Sequence, residues 1–241
     1  MKRVAYIVDM PLSERDQARY GIDLMTAQGI RVTVIDVADL IHPHIKHQRN
    51  HYGRVHDFEI ATVEQASGLG AHKASLDQAD LVIALFGNGG LNRETYSVFR
   101  LISRSKTPYL VEYLNIYPGS NRFKGEAGRA GERLKDILGR LVRGEISLAN
   151  SLLARLPWPL LGLRRPDFVA YSGRMARQED MLSDAGTTVI YAHSMDYELQ
   201  RPLRASPLAV KAQAVFVDEY LPYDRDYEVL GIAHQIGRAH V

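Results

Sequence analysis

The sequence predicts an α/β domain built on a doubly wound, mostly parallel, Rossmann-like sheet. Short runs rich in β-branched and aromatic residues recur between longer amphipathic or polar segments, so strands alternate with helices along the chain. In DLVIALFG (80–87) the apolar run is unbroken, which is the pattern of a strand buried on both faces, as parallel strands are. Polar loops follow most of the strands, and sheets of this class bind ligands outside the carboxyl ends of their strands.

Taken in order, VAYIVDM (4–10) reads as the first strand. A helix is expected over SERDQARYGIDLMTAQG, with Ser13 as its cap, Glu14 and Asp16 in the first turn, and Gly29 as its stop. IRVTVIDV (30–37) is the next strand, and this spacing makes a βαβ unit. Residues 42–57 show no period and hold His42, His44, His47, His51 and His56. Their spacing fits no metal motif, and a polar loop is expected with no metal assigned. A helix over VEQASGLGAHKASLDQA leads to the strand at 80–86. The helix TYSVFRLISRS and a strand at 108–113 complete a second unit. Strands are also expected at 167–171 and 187–191, joined by a helix that ends at Gly186.

Composition limits the function. The 241 residues are 46% hydrophobic and 24% charged, typical of a soluble globular chain. There is no cysteine, so disulfides, thiolate metal sites and cysteine nucleophiles are excluded. A net charge of +2 gives no ground for a nucleic-acid partner. No apolar stretch reaches the roughly 18 residues of a membrane span. The start of the chain lacks the apolar run of a secretory signal, so a cytoplasmic location is expected.

Several loops carry candidate ligands. FGNGG (86–90) puts Asn88, Gly89 and Gly90 after a strand. It either lets backbone amides approach a ligand or simply turns the chain into a helix. Asn88 and Asn92 suit a sugar hydroxyl. In EYLNIYPGSN (112–121), Glu112 lies at the end of a strand, where a carboxylate is either paired or functional. Asn115 and Tyr117, with Tyr113, offer flat apolar faces with polar edges, as carbohydrate sites do. Ser172 and Arg174 follow another strand, and the Arg174 fork suits phosphate. No GxSxG surrounds Ser172, so it is not read as a nucleophile. His193 and Asp196 follow the last strand of the series.

Residues 122–165 hold ten basic and four acidic residues and end in SLLARLPWPLLGL. Two readings stand side by side. Arg155, Trp158, Leu160, Arg164 and Arg165 either touch an anionic membrane surface in the headgroup plane, or the leucines are core and the basic residues a solvated face.

The segment 167–202, DFVAYSGRMARQEDMLSDAGTTVIYAHSMDYELQRP, resembles the approach to the hinge of GT-B glycosyltransferases of the retaining, GT4-like kind. Ser172, Gly186, Val189, Ile190, Asp196 and Pro202 take the places of that pattern, with His193 and Ser194 where it has Asn-Gly. AVFVDEYLPYDRDYEVLG looks like a sequence of bacterial surface-polysaccharide and lipopolysaccharide biosynthesis proteins. The resemblance implies an acceptor-side Rossmann-like domain over 1–205 and the start of a truncated second domain over 206–235. It also implies a nucleotide-sugar donor held mostly by the missing part, a sugar or lipid-linked acceptor, and a place on the inner face of the cytoplasmic membrane. IGRAHV (236–241) reads back through the genetic code as a sequencing adapter, so those residues are expected to be a scar. A non-catalytic α/β module binding a sugar or nucleotide, and another Rossmann-type enzyme of sugar nucleotides or phosphosugars, remain as alternatives.

Overall fold

The apolar runs are too short for helices and too hydrophobic for a surface, and in the computed structural model they are strands. The structure describes residues 2–43, 58–86, 91–114, 153, 156–174, 182–194 and 197. These residues form β1 (Arg3–Val8), β2 (Arg31–Asp36), β3 (Glu59–Thr62), β4 (Leu81–Leu85), β5 (Tyr109–Tyr113), β6 (Phe168–Tyr171) and β7 (Thr188–Tyr191). The strands join in one sheet of order β3-β2-β1-β4-β5-β6-β7. Every neighbouring pair is parallel. The direction of winding reverses between β1 and β4, which is the switch point of a doubly wound sheet.

Each face has its own apolar layer. Val4, Tyr6, Val8, Val32, Val34 and Ile83 point to one side, toward α1 (Glu14–Arg19) and α2 (Ile22–Ala27). Ala5, Ile7, Ile35, Val82, Ala84 and Val111 point to the other. That second face meets α3 (Ala38–Ile41), α4 (Lys73–Asp77) and α5 (Arg93–Arg104). Parallel neighbours need crossovers of one hand, so reversing the winding moves the helices to the opposite face.

The six expected strands are present, and β3 is an addition. Its sequence, EIAT, is short and exposed along most of its length, so no apolar periodicity marks it. It lies on the sheet edge beside β2. The first expected helix is two helices. Ser13 caps α1 through a capping box with Asp16, but Gly21 turns left-handed (φ 67°) and α2 starts afresh. The helix expected before β4 is a 3-10 helix, Ala66–His72, leading into α4. Gly68 and Gly70 explain the change, since glycine weakens an α-helix by about 1 kcal/mol.

α5 follows the sequence reading closely. Val98, Phe99, Leu101 and Ile102 form its buried stripe. Asn92 is its N-cap, accepting from the Thr95 amide at 2.7 Å, so its side-chain oxygen serves the helix and not a sugar hydroxyl.

Trp158 packs into the core, as the second of the two readings has it. It is 3% exposed and packs edge-on against Phe99, with ring centroids 5.1 Å apart. Arg165 lies over its ring, 4.4 Å from the centroid. Arg164 is a brace between strands. It pairs with Asp167 at 2.6 Å, donates to the Thr107 carbonyl and covers the Tyr109 ring at 4.7 Å. Tyr109 answers by donating to the Arg164 carbonyl at 2.7 Å. Leu160 alone among the described members of that set is well exposed, at 78%. Arg155 lies outside the described residues, as do residues 206–235 and 236–241. No helix among the described residues is long and apolar enough to cross a membrane.

Candidate functional site

The parallel register carries one row of side chains across the carboxyl end of the sheet. Asp36 pairs with Val8, and Val8 with Leu85. One step beyond the printed pairing of Ala84 with Val111, Leu85 stands level with Glu112. Glu112 pairs with Ala170, and Ala170 with Ile190. This row shares its face with Tyr6, because side chains alternate along a strand. Asp36 and Glu112 are its charged members. At about 4.8 Å per strand, three strands apart, they stand roughly 14 Å from each other. Asp9 leaves β1 between them, at the switch point.

Tyrosines close the space beneath. The Tyr6 hydroxyl donates to the Tyr20 carbonyl at 2.8 Å and touches the Met25 sulfur at 3.6 Å. This pins the α1–α2 turn to the sheet. Burial raises the Tyr6 hydroxyl well above its ordinary range, and the Glu112 charge adds to the effect. Tyr20 is pushed up to about 12, first by burial, then by Asp16, and also by Asp9 and Glu112. Both phenols therefore stay protonated, and the Glu112 charge acts on each.

Glu112 is partly buried, and among the described residues its carboxylate has no hydrogen-bond or salt-bridge partner. Burial lifts it to about 7. Asp9 rises to about 6, mainly through burial, with the Asp36 charge adding and its own amide opposing. Two carboxyls raised toward neutrality at the carboxyl end of the sheet can accept hydroxyl hydrogen bonds and move protons.

Asp36 does something else. It is buried, and its Oδ1 accepts at 2.9 Å from the amide of Ala38, the first residue of α3. A dinucleotide-binding Rossmann domain uses an acid at this place for ribose and a glycine-rich turn after β1. Here the turn reads DMPLS, without glycine, and the acid is occupied.

Other candidates form a second group at the outer strands. Ser172 and Arg174 follow β6, and His193 follows β7. Gly173 turns left-handed between the first two (φ 96°), a conformation glycine accepts freely. Arg174 sits 5.9 Å from the centre of the Tyr191 ring, and His193 stacks on Tyr197 at 3.9 Å. Asn88, Gly89, Gly90, Asn115, Tyr117 and Asp196 lie outside the described residues. The strands that lead to them, β4, β5 and β7, end at this same edge. Among the described residues no group of three or more His, Asp or Glu is arranged to hold a metal ion. Sequence reasoning singled out Glu112 but not Tyr6 or Tyr20, and it reached Asp9 only as part of the loop 9–13 after the first strand. Asp9 had one signal, its place as the first polar residue after a central strand.

No protein-family model matches the chain. No curated protein matches it. Among solved structures it is similar to a Bacteroides thetaiotaomicron protein assigned as an epimerase, with 14% identity and a TM-score of 0.36 over 86% of this chain and 93% of the other. It is also similar to CalG4, the calicheamicin glycosyltransferase, with 10% identity and a TM-score of 0.38 over 80% of this chain. The match spans about half, 51%, of that enzyme's length. Neither likeness bears on substrate or chemistry.

Proposed function

We propose that this chain is the acceptor-side domain of a glycosyltransferase, which moves a sugar from a nucleotide-sugar donor to a hydroxyl of a lipid-linked or surface-polysaccharide acceptor. One observation carries the reading. Glu112 is a partly buried carboxylate without a partner among the described residues, at the carboxyl end of an inner parallel strand. Holding such a group away from water destabilises a fold, so a bound hydroxyl is the partner it awaits.

In this reading an acceptor hydroxyl donates to Glu112 while Asp9 holds a neighbouring hydroxyl. The acceptor oxygen bonds to the anomeric carbon of the donor sugar as the bond from that carbon to the donor phosphate breaks. The hydroxyl proton passes to Glu112, and the nucleoside diphosphate leaves. Tyr6 and Tyr20 stay neutral beside Glu112. The donor would be held mostly by a second domain that follows this one. A lipid-linked acceptor would bring the protein to the inner face of the cytoplasmic membrane.

Acceptor binding tests the assignment. Oligosaccharides and polyprenyl-phosphate-linked sugars titrated into the chain should shift the NMR signals of Asp9 and Glu112, and Glu112→Gln should weaken the binding. Sugar binding with no response at either residue would remove the site. Binding with no turnover by a protein that also carries the donor-binding domain, in the presence of any nucleotide sugar, would mark a non-catalytic module instead.

A further inference from the structure

On the opposite face of the sheet from Glu112, a cavity of about 240 Å³ opens between α5 and the 3-10 helix Ala66–His72. Leu69 and Leu101, both buried, belong to its lining. Arg100 and Arg104 line it from α5, one helical turn apart, together with Ser97. Tyr96 stands beside them, its hydroxyl donating to the Leu161 carbonyl at 3.3 Å. Among the described residues no carboxylate lines the cavity. Neither guanidinium has an ion pair or hydrogen bond among the described residues. The nearby Lys73 is already matched, by Asp77.

Two like charges at this spacing repel each other, and each guanidinium presents a fork of donors suited to oxyanions. A carboxylate would satisfy one fork. A phosphate monoester, with more oxygens and more charge, satisfies both and still reaches the Ser97 hydroxyl. The apolar lining suits a short organic part. The volume lies below the roughly 300–1,000 Å³ of sites for larger ligands, so that part is small. There is room at Gly70 as well, where an added Cβ would meet nothing within 4 Å.

We infer that the Arg100–Arg104 cavity binds a phosphate monoester, either the headgroup of a membrane lipid or a small soluble metabolite. This site stands apart from the acceptor site and does not depend on the transferase reading.

The test pairs two probes with two variants. Glycerol 3-phosphate is titrated by calorimetry, and phosphatidylcholine vesicles containing phosphatidic acid are used for co-sedimentation. Arg100→Gln with Arg104→Gln removes both forks from exposed positions. Lys2→Gln with Arg31→Gln removes the same charge at exposed positions near the amino ends of β1 and β2. Wild type and the control should bind at least one probe, and the Arg100/Arg104 variant about tenfold or more weakly, with an unchanged far-UV spectrum. Binding of the soluble probe alone identifies a metabolite site, and vesicle binding identifies a headgroup site. The inference is overturned if wild type binds neither probe, if the Arg100/Arg104 variant binds as wild type does, or if the control loses as much.

Discussion

Glu112 is a residue the fold tolerates at a cost. Its ordinary value is 4.5, and in the folded chain it titrates at about 7. Between those values the folded state keeps a proton that the unfolded chain has released. Stability therefore falls as pH rises through that window, and the whole penalty stands above it. Replacing Glu112 with Gln should stabilise the chain at pH 8 by on the order of 2–3 kcal/mol and change little at pH 4. Urea unfolding at the two values checks this. A destabilised variant at pH 8 would mean that Glu112 has a structural partner. The residue was legible because a charge inside an apolar strand is an anomaly in the sequence. Asp9 was not, because an acid just after a strand is ordinary, and only burial makes it unusual. Trp158 was ambiguous for a similar reason. A tryptophan among leucines and arginines reads alike whether it faces lipid or core, and Phe99 decides it only in three dimensions.

At the scale of elements, local chemistry set most boundaries. Ser13 with Asp16 and Asn92 with Thr95 each close a capping box, and both helices start where these residues stand. Asn92→Ala should cost about 1 kcal/mol, because the first turn of α5 loses its acceptor. Thermal unfolding would then fall by roughly 2–4 °C. No loss would show that packing of Phe99 and Ile102 alone fixes the helix start. In sequence Asn92 suits a sugar hydroxyl as well as a helix cap, since a capping asparagine and a binding asparagine look the same there. β3 was invisible because a solvent-facing edge strand needs no apolar period. The break at Gly21 was hidden inside a run of good helix formers, where one glycine is usually tolerated.

Over the whole molecule, the alternation of strands and helices was enough to give a doubly wound parallel sheet, and with it the edge on which to look for ligands. It did not give the two faces of the helix layer, and the Arg100–Arg104 cavity has no sequence motif. Trp158 is the one tryptophan of the chain, so its fluorescence reports on the packing of 156–166 against α5. Its emission should be blue-shifted, weakly quenched by acrylamide and unchanged by anionic vesicles. A shift on adding vesicles would return Trp158 to a membrane surface. Glu112 is proposed as the group that receives the acceptor proton. In a protein that also carries the proposed donor-binding domain, transfer of labelled sugar from a nucleotide donor to a lipid-linked acceptor is to be compared between wild type and Glu112→Gln across pH 5–9. Wild-type rate should rise through a pH near 7, and the variant should lose about 10²–10⁴-fold with no such rise while remaining folded. A variant that transfers sugar at the wild-type rate would exclude Glu112 as the proton acceptor.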